Sequence, residues 1–374
     1  MATIGFSDLK DTALPALWDA DLIQRVRLAQ GASFESLVAD IRAGLTAVNR
    51  SLLTMPHYSE LFSVTTDVEI EYPIGVSAGF EVATEYSVPD PRRGKTTGHM
   101  LPIEKYDRSL GWTMMYLREA RAMKLQADIR SAITDAPILW QQKLLTRFFL
   151  STGNTVGTVA LADNPFADGG TANSTWVPLP SPEGETFAYT HSHLIGYSNS
   201  AVTQNTIDQS AVEACLEHLQ EHGHKAPYDA IVSRTDLSSW ANTTNVTGWK
   251  PINWAGIMYH ASAVERAALS DIEDFVGYIE TDYGVVRVWS TPRLPTLHAG
   301  FYKAYGKGDP RNPLRVRYAA TVGFGFNYVP GIWVNSPMDL ALMYAQFGVG
   351  VGEDRTNGVL LDVAASSYTS PTIS

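Results

Sequence analysis

Phe80-Glu81-Val82-Ala83-Thr84-Glu85-Tyr86-Ser87-Val88 sets apolar against polar residues, then breaks into Pro89-Asp90-Pro91-Arg92-Arg93-Gly94-Lys95-Thr96-Thr97-Gly98. Alternation with period two marks a strand with one wet face, and the Pro, Gly and Asp that follow mark a turn. The stretch reads as one limb and the tip of a β-hairpin. Just upstream, Val68, Ile70 and Tyr72 alternate with Asp67, Glu69 and Glu71 in the same way. The return limb, Met100 to Trp112, mixes polar and apolar residues and offers no face for a core to cover. A long two-stranded ribbon alone in water is marginally stable. The ribbon from about Val76 to Trp112 is therefore expected to lean on a surface outside its own domain. Its tip carries the basic residues Arg92, Arg93 and Lys95, which suit carboxylates of another subunit better than phosphate, a solvated tip being the alternative.

Helical periodicity flanks the ribbon. Phe34, Leu37, Val38, Ile41, Leu45, Val48 and Leu52 recur three or four apart, with Ser33 placed to cap, so an amphipathic helix is predicted over Phe34 to Leu52. The residues before it are Pro-broken, with Leu14, Leu17, Trp18, Leu22 and Ile23 as scattered anchors, and read as an arm that needs a partner surface. Ala122 to Ser151 carries Leu125, Ile129, Ile133, Trp140, Leu144 and Phe148 on one stripe, a rod of roughly 45 Å at ~1.5 Å per residue. Pro137 removes a backbone donor there, so a kink is expected, or a break with Asp135 capping a second segment.

Gly153 to Glu185, rich in Gly, Asn, Pro, Thr and Asp, reads as a long surface loop. Thr206 and Gln209 suggest a capping box for a helix to about His222, closed by Gly223, with Val212, Cys215, Leu216 and Leu219 inward. A strand over Tyr228 to Ser233 follows, and short helices and strands alternate to about Pro295, the pattern of a separate α+β domain. Strands return at Leu314 to Tyr318. Gly323 to Tyr328 alternates glycine with aromatic residues, Asn357-Gly358 signals a turn, and the tail Ser366 to Ser374 reads as disordered.

A chain of 374 residues, 45% hydrophobic, can bury a sizeable core and on length suggests about two domains. Its 28 Lys and Arg against 39 Asp and Glu give a net charge of −11, scattered without long like-sign blocks, which argues against a phosphate-tracking surface. The lone cysteine, Cys215, excludes an internal disulfide, suits a reducing compartment and reads as a small buried hydrophobe. No basic n-region with an apolar stretch opens the chain and no long apolar run crosses it, so the expectation is a soluble, unexported protein with no membrane partner.

Three stretches resemble chemical motifs and lack the required context. Gly75-Val76-Ser77-Ala78-Gly79 matches G-x-S-x-G after a strand, but period-two alternation follows where a nucleophile elbow needs a helix. A serine hydrolase using Ser77 is thus the alternative from another function class, and a glycine-flexed bend is favoured. Gly348-Val349-Gly350-Val351-Gly352 leads into Glu353-Asp354-Arg355 rather than a helix N-terminus, so it suits a flexible hairpin better than a dinucleotide loop. His191 with His193, and His218 with His222, have zinc spacing on a strand and a helix, but Leu219 stands where a zincin needs Glu. Polar or capping histidines are the favoured reading. No catalytic, cofactor-binding or metal-binding residue is assigned on the sequence, and no enzyme activity is expected.

The order of elements resembles the major capsid proteins of tailed bacteriophages, with the Hong Kong 97-type fold. The resemblance spans nearly the whole chain. It is carried by the arm and first helix, the ribbon, Leu110-Gly111-Trp112-Thr113 leading into the long helix, and Arg147-Phe148-Phe149 ending it. Thr190-His191-Ser192-His193-Leu194 and the run Asp309-Pro310-Arg311-Asn312-Pro313-Leu314-Arg315-Val316-Arg317-Tyr318 carry it further. The fold class it implies is α+β, with an N-terminal arm and helix (1–60), an extended β-hairpin loop lying on a neighbour (61–112) and a peripheral domain with a spine helix (113–200). An axial α+β domain (201–300) and return strands with a tail (301–374) complete it. The resemblance implies self-assembly into hexamers and pentamers of an icosahedral head around double-stranded DNA, built in the host cytoplasm, with the extended-loop tip at Arg92, Arg93 and Lys95 as the intersubunit contact. It also implies a separate scaffolding protein and a portal as partners, weak contact with DNA at most, and no cofactor. An encapsulin-type compartment shell is the alternative on the same fold.

Overall fold

The computed structural model describes residues 34–374 apart from residue 56 and the stretches 75–94, 114–121, 153–165, 167–176, 180–185, 189–190, 253–273 and 330–337. In chain order the strands are β1 (Phe62–Thr65), β2 (Glu69–Ile74), β3 (Lys95–Met100), β4 (Glu104–Thr113), β5 (Leu194–Gly196), β6 (Tyr228–Ser233) and β7 (Trp249–Pro251). They continue with β8 (Phe275–Thr281), β9 (Gly284–Thr291), β10 (His298–Tyr302), β11 (Leu314–Tyr318), β12 (Asn327–Val329), β13 (Met338–Val351) and β14 (Val359–Asp362). The longer helices are α1 (Phe34–Leu52), α2 (Ala122–Phe148) and α3 (Gln209–Glu221).

The first sheet is organised on β13. One edge takes β4 in antiparallel register from Met338 opposite Thr113 to Phe347 opposite Glu104, and the other takes β12 and then β11, on which β1 lies parallel. α1 and α2 pack together and against this sheet. α1 spans the predicted Phe34–Leu52, with Val38, Ile41, Leu45 and Leu52 buried as the spacing requires. Asn49 then clamps the glycine-aromatic run: its Nδ2 donates to the Phe326 carbonyl at 3.0 Å and its Oδ1 accepts from the Phe326 amide at 2.8 Å. Gly325, at φ 92°, allows this, since a Cβ there would both strain the backbone and run into the Asn49 side chain.

Of the kink or break expected at Pro137, the break is absent: α2 continues through it, and Asp135 pairs with Arg108 of β4. A mid-helix proline costs about 3 kcal/mol. Burial of Ala132, Ala136, Trp140, Leu144 and Phe148 along one face offsets it, Trp140 meeting Phe62 and Phe324 edge-on at 5.5 and 5.4 Å.

The second sheet runs β5-β14-β10-β6-β9-β8-β7, so strands from both sides of residues 201–300 complete it. Its central strands are covered on both faces. In β6, Ile231 joins the core under α2 while Tyr228, Ala230 and Val232 join the core under α3, and β10 and β14 divide in the same way. The cap of α3 differs from expectation: Asp208, not Thr206, accepts from the Ala211 amide, at 2.9 Å, because its carboxylate sits one residue before the helix. The Gln209 side chain turns to Glu213 instead of reaching back. Gly223, at φ 84°, follows the helix as predicted.

Three further expectations are corrected. The limb from Met100 to Trp112 does not lie outside a domain: Glu104–Thr113 is β4, paired along its whole length to β13. Backbone pairing holds the strand, and Tyr106 packs on Phe347 at 4.8 Å between polar neighbours, which is why its pattern reads as mixed. Gly348 to Val351 is no flexible hairpin but the end of β13, where the chain at Pro102 and Ile103 crosses so closely that a Cβ on Gly348 would strike the Pro102 carbonyl. The tail from Ser366 is ordered against the body, with the Tyr368 hydroxyl donating to the Phe149 carbonyl at 2.8 Å and Ile373 packed on the core under α2.

Candidate functional site

The ribbon is where sequence and structure meet most directly. β2 and β3 pair antiparallel from Glu69 opposite Met100 to Ile74 opposite Lys95, with Ile70 and Tyr72 buried and Glu69 and Glu71 exposed, as the alternation requires, while Val68, expected on the buried face, lies before β2 and is exposed. Residues 75–94, including Ser77, Arg92 and Arg93, lie outside the described residues, and Lys95 enters only as the first residue of β3. The tip is therefore known by its root, which is firmly held. His99 Nε2 donates to the Val351 carbonyl at 3.1 Å, which leaves Nδ1 to accept from the Tyr72 hydroxyl at 3.3 Å. The buried Arg355 guanidinium lies over the Tyr72 ring at 5.6 Å and reaches its hydroxyl at 3.4 Å. The Leu101 amide donates to Val68 at 2.8 Å, and Arg317 donates to the Leu101 carbonyl at 2.7 Å. Sequence reading missed this root because its members come from positions far apart in the chain. Arg355, close after the glycine run Gly348 to Gly352, carries the local signal.

A second constellation joins the two cores. Asp229 on β6, 1% exposed, accepts from Arg287 Nη2 at 2.6 Å and from the Trp289 indole at 2.8 Å, and the same Arg287 nitrogen reaches Glu60 at 3.1 Å.

The third was legible only as two separate pairs. His191 and His193 precede β5; His218 and His222 lie one turn apart at the end of α3. The fold brings them face to face. His191 Nε2 lies 3.1 Å from His193 Nε2 and 3.0 Å from His222 Nε2, and the ligating atoms of all three lie within 4.8 Å of one another. His193 is fully buried and its Nδ1 donates to the Gly358 carbonyl at 2.8 Å. Glu221 Oε2 stands 3.9 Å from His191 Nε2 and 3.5 Å from His218 Nδ1, and the Phe187 ring covers His222 at 4.1 Å. Burial first, then the neighbouring imidazoles, push His191 and His193 below the ordinary histidine value and His222 down to about 3. Cys215 is buried in the core under α3, and its thiol is pushed up by burial, which leaves it unreactive.

No family model and no curated protein sequence matches the chain. Among solved structures, a chain from Mycobacterium phage Patience aligns over 92% of both chains with a TM-score of 0.60 at 18% identity, and the two share a fold. Chains from the capsid of an empty GTA particle (TM-score 0.45, 13% identity, 85% and 90% covered) and from the holo-SrpI encapsulin complex of Synechococcus elongatus PCC 7942 (0.44, 10%, 83% and 88%) align too loosely to carry weight.

Proposed function

We propose that this chain, whose fold is that of a tailed-phage capsid protein, is a major capsid subunit. In this role, copies assemble as hexamers and pentamers into an icosahedral head enclosing double-stranded DNA. The observation that carries the reading is the end-to-end likeness in fold to a phage chain. The ribbon supports it: a two-stranded element rooted by buried His99, Tyr72 and Arg355 has a fixed base from which to reach a neighbour. Intersubunit contact is assigned to the arm before Phe34 and to the ribbon tip at Arg92, Arg93 and Lys95. The extended loop is assigned to the ribbon of β2 and β3 with its tip, β1 and β4 having gone to the first sheet; 113–200 serve as the peripheral domain and 201–300 as the axial domain, joined by 301–374. A net charge of −11 suits a wall that must not stick to its packaged DNA. Permanent interfaces of this kind bury ~2,000 Å² or more, and many contacts at once give avidity.

The test is co-expression with a scaffolding protein from the same genome, followed by sedimentation. Fast-sedimenting closed shells are expected. A chain that stays monomeric under all such conditions overturns the proposal. Shells that hold a protein cargo and never DNA would transfer the same fold to an encapsulin-type role.

A further inference from the structure

Three imidazole nitrogens converge between the segment entering β5 and the end of α3, and protons alone cannot satisfy them. His193 Nδ1 gives its hydrogen to the Gly358 carbonyl, so its buried Nε2 presents a lone pair. His191 Nε2 faces that lone pair at 3.1 Å and His222 Nε2 at 3.0 Å. With a proton on His191 Nε2, one contact is a hydrogen bond and the other has no properly aimed donor. Without it, two lone pairs oppose each other at His193. Every arrangement of protons on neutral rings leaves one contact of about 3 Å unpaired, at a site 0% exposed on the His193 side.

We propose that His191, His193 and His222 bind a divalent metal ion of the zinc type, with Glu221, whose Oε2 stands 3.9 Å from His191 Nε2, beside the site. A cation accepts all three lone pairs at once. Zn–N bonds of about 2.0–2.1 Å in a tetrahedron set neighbouring nitrogens about 3.3 Å apart, close to the 3.1 and 3.0 Å from His191 Nε2 to the other two, while the third pair lies within 4.8 Å. The Gly358 carbonyl is the outer partner that fixes tautomer and ring orientation in a metal-ligating histidine. Neutral imidazoles are the form such an ion requires, and the donor set selects an imidazole-binding ion over magnesium or calcium. The ion ties the segment before β5 to the last turn of α3, two pieces 31 residues apart in sequence. It is a staple within the second sheet's core and needs no second subunit, so it stands or falls independently of the capsid role.

The test uses the full chain, stripped with a chelator, loaded with Zn²⁺ or Co²⁺ and passed through gel filtration. One ion retained per chain is expected, with the intense visible absorption of tetrahedral Co²⁺. At about 100-fold excess over Kd the melting temperature should rise by roughly 3 °C. His191→Ala and His222→Ala should lose the ion and the shift, while His298→Ala, outside the cluster, should keep both. Wild-type protein that retains no ion and melts at one temperature with or without metal overturns the proposal, whether or not the variants fold. So does stoichiometric binding that survives both cluster substitutions.

Discussion

His57 is enclosed between Tyr58 and Trp289, its ring centroid 4.1 and 5.0 Å from theirs, and neither ring nitrogen has a hydrogen-bond partner among the described residues. Burial holds its pKa down at about 3. The folded chain keeps His57 neutral while the unfolded chain takes up a proton below pH ~6.5. The stability it allows is thus complete above that pH and is lost as pH falls toward 3, at about 1.4 kcal/mol per unit for this one group. His57→Asn, which removes the titration and tolerates the residue's φ of 49°, should lose about 1 kcal/mol less than wild type between pH 6.5 and 5.5 in urea melts. Parallel pH dependence in the two proteins would contradict this. At Asp229 the issue is pairing. Arg287→Met leaves a carboxylate that is 1% exposed without its guanidinium, and should cost about 3–5 kcal/mol. A denaturant midpoint close to wild type would mean that Trp289 alone suffices.

Elements whose residues face one environment along their length were legible in the sequence. α1 has its apolar residues on one helical stripe, and β2 has Ile70 and Tyr72 inward between exposed glutamates, so local spacing named both. Elements defined by a distant partner were not. β4 is held by backbone pairing to β13 more than two hundred residues later, α2 passes through Pro137 because its buried face outweighs one lost bond, and the histidine cluster needs two segments that only the fold brings together. Gly348 is the sharpest case: its glycine serves the crossing chain at Pro102, not a loop. Gly348→Val must push β13 and that backbone apart, since neither atom belongs to a flexible side chain, and should cost at least ~1–3 kcal/mol. A wild-type melting temperature in this variant would show that the crossing is looser than drawn.

At the scale of the whole molecule, two packed cores carry a ribbon whose root is fixed and whose tip is assigned to a neighbouring copy. Rigid rooting and a charged tip separate folding from assembly, so the two should respond differently to substitution. Arg92→Glu, Arg93→Glu and Lys95→Glu combined should leave the melting temperature of the isolated chain unchanged and abolish closed shells. Loss of both together would make the tip part of the fold. The capsid reading itself is tested most directly by a cryo-electron-microscopy reconstruction of the assembled protein. It should show rings of five and six copies, with the ribbon around residues 69–100 crossing onto the adjacent subunit. A stable, unassembled chain with its ribbon folded back on its own cores would contradict it.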